Sequence, residues 1–160
     1  MTLTYLGVGS NVEPEKYIRL AFAEVKQLGE LRASAVYQCA PVGFDGNVFY
    51  NLVFELKTDL TLEDLQQQLR AIELKLGRAK DATKFQNRTV DVDILLFGES
   101  VSPEAPVLPR SDIYKYEFVL KPLFELCPDL VVPNDGRTVK ELWEQFDSKG
   151  SLTAVELDFE

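Results

Sequence analysis

Val90-Asp91-Val92-Asp93-Ile94-Leu95-Leu96-Phe97 alternates as a strand, with Val90, Val92 and Ile94 on one side and two carboxylates on the other. At the usual rise, Asp91 and Asp93 share a face about 7 Å apart. Gly98-Glu99-Ser100 ends the run as a turn. Upstream, Arg78 to Thr89 is polar with no apolar period and reads as a long loop. Before it, Leu62, Leu65, Leu69, Ile72 and Leu76 step by three and four, a core-facing helix that Thr61 and Asp64 start and Gly77 ends.

Further outward, Phe49 to Thr58 is a strand with Leu52, Phe54 and Leu56 on one face. Gln38 to Val48 is a loop crowded with Pro41, Gly43, Asp45, Gly46 and Asn47. Leu31, Ala33, Ala35 and Tyr37 alternate as one continuous strand. Leu3 to Val8 is the first strand, and Gly9-Ser10-Asn11 turns it into a helix that Pro14 opens and Gly29 caps. The order is strand, helix, strand, strand, helix, strand. It predicts an α+β, ferredoxin-like βαββαβ sandwich. C-terminal additions follow: an extended segment with Pro103, Pro106 and Pro109, a short helix over Tyr116 to Cys127, and a helix capped by Thr138 and Glu141. Val155, Leu157 and Phe159 alternate as a terminal strand. At 160 residues, with no linker or repeat, one domain spanning 1–160 is expected.

The chain has no histidine, which excludes Ser-His-Asp, Cys-His and HExxH chemistry. A net charge of −9 disfavours nucleic acid and anionic lipid as partners. Cys39 and Cys127 have no metal-site spacing and read as reduced thiols of a cytoplasmic protein. The N-terminus lacks a signal-peptide pattern, and no apolar run approaches the roughly 20 residues needed to span a bilayer.

Two carboxylates on one face of an apolar strand need a cation, either Arg or Lys or a hard divalent ion. A salt-bridged polar face on an exposed strand is the plainer alternative. The adjoining loop is locally basic, with Arg78, Lys80, Lys84 and Arg88 against Asp81, and suits a phosphate. A solvated charge run would look the same in isolation. Phe49, Asn51 and Phe118 could form a slot for a flat heterocycle, or be ordinary core and loop-bracing residues.

Taken together, Gly9-Ser10-Asn11, Ala40-Pro41-Val42-Gly43, Phe49, Asn51, Ile72-Glu73-Leu74, Gly77-Arg78 and Arg88-Thr89-Val90-Asp91-Val92-Asp93 resemble the 6-hydroxymethyl-7,8-dihydropterin pyrophosphokinase family. The resemblance extends to Pro122-Leu123-Phe124-Glu125-Leu126. It implies transfer of diphosphate from ATP to a reduced pterin in folate biosynthesis, with two Mg²⁺ ions, by a monomer. By position, Asp91 and Asp93 would hold the metal and, with Arg78 and Arg88, form the catalytic set. Val42, Phe49, Asn51 and Phe118 would bind the pterin. Arg70, Glu73, Lys80, Arg88, Ile94, Arg110 and Ser111 would bind ATP. Positioning plus charge neutralisation needs no histidine nucleophile or base.

Several positions depart from the family pattern. Gln86-Asn87 replaces Gly-Pro, Phe85 a tryptophan, Pro109-Arg110 a Pro-His, Ser111 a tyrosine, and Cys39-Ala40 a Thr-Pro. Ala105 and Tyr116 stand where arginines are common. The alternative readings are a divergent paralogue that binds pterin or nucleotide with little or no turnover, and an interaction module with no small-molecule site.

Overall fold

The computed structural model describes residues 1–39, 48–77, 89–148, 150 and 152–159. The readings placed on Val42, Arg78, Lys80 and Arg88 lie outside these residues. The described elements are β1 (Thr2–Ser10), α1 (Pro14–Lys26), β2 (Glu30–Ala33), β3 (Val36–Cys39), β4 (Phe49–Thr58), α2 (Leu62–Lys75), β5 (Asp91–Phe97), α3 (Asp112–Lys115), α4 (Glu117–Leu126), α5 (Val139–Gln145) and β6 (Thr153–Val155).

The strands form one sheet in the order β5-β1-β4-β3-β6, with β2 also pairing β4. Every pairing is antiparallel. The first and third expected strands lie at the centre, the fourth beside the first and the second beside the third, as the ferredoxin-like order requires. Period-2 alternation then sorts the side chains. Leu6, Val8, Leu52, Phe54 and Val92 are buried with Ile18, Leu65 and Leu69 of α1 and α2 on one face. Tyr5, Val53 and Leu95 pack with Leu120 and Leu123 of α4 on the other.

The helix starts follow local chemistry. Pro14 occupies the first turn of α1, where its missing N–H removes no helical bond. Thr61 caps α2 by accepting the Asp64 amide at 3.1 Å, and Thr138 with Glu141 forms a reciprocal capping box on α5. Gly77, at φ +109, ends α2 in a conformation that costs a residue with a Cβ much more.

Three expectations change. The strand read as continuous from Leu31 to Tyr37 is two strands, because Ser34 breaks it. Its amide donates to the Val53 carbonyl and its hydroxyl accepts from the Val53 amide, both at 2.9 Å, so a side chain replaces the next ladder carbonyl. Gly29 is not a left-handed cap: α1 ends at Gln27, and Gly29 is needed because a Cβ there would lie 2.0 Å from the Lys57 carbonyl oxygen. The terminal strand lies earlier, at Thr153–Val155, while Phe159 stacks on Phe22 with centroids 4.6 Å apart. The helix expected over Tyr116 to Cys127 is present as α4, running through Pro122, and the short α3 precedes it.

Candidate active site

The register brings the chemistry-bearing residues to one end of the α4 side of the sheet. Gly9 pairs with Asp91 in β5 and Asn51 in β4, and Gly7 pairs with Asp93 and Val53. Gly9 thus separates Asp91 from Asn51 and Gly7 separates Asp93 from Val53, so β1 puts no side chain between the two strands on this face. A Cβ on Gly9 would stand 2.9 Å from Asn51 Oδ1 and 3.8 Å from the Phe49 ring. Phe49 is half-buried on the same face as Asn51, and Asn51 itself is buried. Phe118, at the start of α4, stacks on Tyr116 at 4.9 Å and packs against the core on that face.

Asp93 stands between two guanidinium groups. Arg70 Nη2 lies 3.6 Å from Oδ1, and Arg110 Nη2 lies 3.6 Å from Oδ2. Burial and the neighbouring Asp91 push the Asp93 carboxyl up to about 6, and the arginines only partly offset them. Arg110 is held at its other side by Asp112, whose Oδ2 accepts from Nε at 3.1 Å, and its backbone amide donates to the Leu95 carbonyl.

Arg70 and Glu73 belong to α2 yet act on the outer edge of β5. Glu73 Oε2 accepts the Val92 amide at 2.7 Å, Arg70 Nη2 donates to the Val92 carbonyl at 2.8 Å, and the two side chains form an ion pair. Glu73 is fully buried. The Ile94 side chain is also buried, in the core under α1 and α2, which leaves its edge backbone as the part able to meet a ligand. Ser111 is exposed at the start of α3, next to Arg110.

The donor set fits a hard divalent cation. Asp91 and Asp93 offer carboxylate oxygens on one strand face, and burial together with their mutual repulsion raises Asp93. Among the described residues no group of three or more Cys, Asp or Glu side chains could form a metal cage. A cation here would complete its shell with phosphate and water oxygens, the usual habit of Mg²⁺. Arg70 Nε is buried with no hydrogen-bond partner among the described residues.

Some contacts have no sequence signal a single chain could give. Cys39 stood out only as a departure from a pattern, yet its sulfur accepts the Asn51 amide at 2.9 Å. Asp112 was not singled out, although its spacing from Arg110 is the clue that the two pair. Tyr116 replaces a common arginine and supplies a stacking face to Phe118.

Fold and site define a ferredoxin-like protein with paired carboxylates on one strand face, arginines beside Asp93, and Asn51 and Phe49 on the same side of the sheet. The family model for 7,8-dihydro-6-hydroxymethylpterin-pyrophosphokinase (HPPK) matches residues 5–128. The 2-amino-4-hydroxy-6-hydroxymethyldihydropteridine pyrophosphokinase of Pseudomonas aeruginosa is 42% identical over 148 residues, covering 86% of this chain and 88% of that protein. Its namesake from Haemophilus influenzae is 34% identical over 152 residues, covering 91% and 94%. A Plasmodium falciparum HPPK-DHPS chain superposes with a TM-score of 0.74 at 12% identity, covering 96% of this chain and 48% of that one. This chain thus spans about half the length of that solved chain, and the likeness concerns the fold. The chain belongs to the HPPK family.

Proposed function

We infer that this protein transfers the terminal diphosphate of ATP to 6-hydroxymethyl-7,8-dihydropterin, releasing AMP and the pterin diphosphate for folate biosynthesis. Family membership supports the reaction. The observation that carries it to the site is the single sheet face on which Gly9 separates Asn51 from Asp91.

In this reading Phe49 and Phe118 hold the pterin ring by stacking, and Asn51 meets its polar edge. The hydroxymethyl arm then runs over Gly9 toward Asp91 and Asp93. Its oxygen bonds to the β-phosphorus as the bond to the α,β-bridging oxygen breaks, AMP departs with that oxygen, and the hydroxyl proton passes to water. Asp91 and Asp93 would hold Mg²⁺, which when bound neutralises phosphate charge. Arg110, and outside the described residues Arg78, Lys80 and Arg88, are assigned to the triphosphate. Arg70, Glu73, the Ile94 backbone and Ser111 are assigned to the rest of the nucleotide, and Val42 to the pterin. The work is orientation and charge neutralisation, which carboxylates and arginines supply without histidine.

We further propose that 1–160 is one domain acting as a monomer in the cytoplasm, on small molecules rather than nucleic acid or membrane. Among the described residues no helix is long and apolar enough to cross a bilayer. The test is AMP release from ATP with Mg²⁺ and reduced hydroxymethylpterin. Release dependent on all three is the expected result; pterin or nucleotide binding without AMP would favour the binding-only paralogue.

A further inference from the structure

We propose that Arg110 is an exchangeable counter-ion: in the free protein it stands against Asp93 where a divalent cation would bind, and with nucleotide it moves to the phosphate chain while Asp112 retains its Nε. The proposal rests on the reading that Asp91 and Asp93 hold the metal.

The two arginines facing Asp93 are held differently. Arg70 is pinned, since it donates to the Val92 carbonyl at 2.8 Å and pairs with Glu73. Arg110 is anchored by its backbone at Leu95, and its side chain is gripped by Asp112 through Nε alone. Its two terminal nitrogens therefore remain available while Nε stays bound. The 3.6 Å approach to Asp93 is longer than a hydrogen bond, so the attraction is coulombic and its geometry loose. Arg110 is one-third exposed.

A Mg²⁺ ion sits about 2.1 Å from a carboxylate oxygen, which would bring it close to the Arg110 guanidinium in its present position. Metal binding alone therefore displaces Arg110 from Asp93 with no new acceptor. A triphosphate arriving with the metal supplies one, in the bidentate geometry that guanidinium groups favour. Metal and nucleotide then bind with positive coupling that is reciprocal and partly carried by Arg110.

The experiment is Mn²⁺ binding at pH 8, followed by the electron paramagnetic resonance of the free ion, with and without a non-hydrolysable ATP analogue. Arg110→Gln removes the competing charge and should tighten Mn²⁺ alone by roughly 3- to 10-fold while weakening Mn²⁺ with nucleotide by about 10-fold. Asp112→Asn should do the opposite to Mn²⁺ alone, weakening it about 2- to 3-fold, because Arg110 then leans on Asp93 only. These opposite signs cannot arise from a shared loss of folding. Unchanged or weaker Mn²⁺ binding in Arg110→Gln overturns the counter-ion role. Asp93→Asn is the control for the underlying reading: if it takes up Mn²⁺ as well as the wild type, the metal assignment itself fails.

Discussion

The Asn51 side-chain amide donates to the Cys39 sulfur at 2.9 Å, and this bond turns Asn51 Oδ1 toward Gly9. Cys39 pairs with Phe49 across β3 and β4, so it reaches Asn51 along the diagonal of the ladder. Burial pushes the Cys39 thiol up to about 11, which keeps it protonated. Cys39→Ala should release the Asn51 amide and weaken pterin binding by about 3- to 10-fold with nucleotide affinity unchanged. Cys39→Thr, which offers an oxygen acceptor, should restore it. Titration calorimetry with each ligand separates the two effects.

The raised Asp93 carboxyl links stability to pH. Its folded value of about 6 exceeds the unfolded value, so the native state holds the proton more tightly. Its contribution is therefore greatest at low pH and is lost as pH rises toward 6. In chelator, Asp93→Asn should be more stable to unfolding than wild type at pH 7.5, by on the order of 1 to 3 kcal/mol, with the gap narrowing at pH 5. The same variant should lose Mg²⁺-dependent AMP release. Normal turnover would remove Asp93 from the metal site.

Glu73 offers a test of stability that is read without turnover. Replacing it by Ala leaves the buried Val92 amide without its acceptor and removes the ion pair of Arg70, and should cost about 2 kcal/mol in urea unfolding. Glu73→Gln keeps an oxygen for Val92 and should cost about half as much. A loss below 1 kcal/mol in the Ala variant would mean that the Glu73 contacts contribute little to the fold.

The proposed stacking of Phe49 and Phe118 on the pterin makes a selective forecast. Phe49→Ala and Phe118→Ala should each weaken pterin binding by roughly 10- to 100-fold and nucleotide binding little, because lost stacking and buried area act on the ring alone. If both variants bind pterin normally, these residues serve packing, as the plainer reading of the sequence held.

Much of this was written in local pattern. Periods of 2 and 3.6 located the six elements of the βαββαβ unit, and Thr61 and Thr138 marked helix starts because capping is a matter of neighbouring residues. The break at Ser34 was hidden, since Leu31 to Tyr37 alternates without interruption and only the pairing of Ser34 with Val53 across the sheet divides it. Gly29 shows the same limit: its position after a helix suggested a cap, whereas the reason for glycine is a distant carbonyl. In the site, Asp91 and Asp93 were legible from alternation. Their enclosure by Arg70 and Arg110 was not, because α2 and the proline-bearing segment reach β5 from opposite directions in the chain.

The contacts along the outer edge of β5 also bear on how the molecule behaves among its own copies. An edge strand rich in Val, Ile and Leu is a template onto which another chain can add. Here the Val92 amide and carbonyl are taken by Glu73 and Arg70, and the Leu95 carbonyl by the Arg110 amide. Side chains and a returning loop thus occupy part of the hydrogen-bonding row a foreign strand would need, on either side of Ile94. The part of the sheet that carries the carboxylates is shielded from strand addition, so concentrated protein has one fewer route to fibrous self-association.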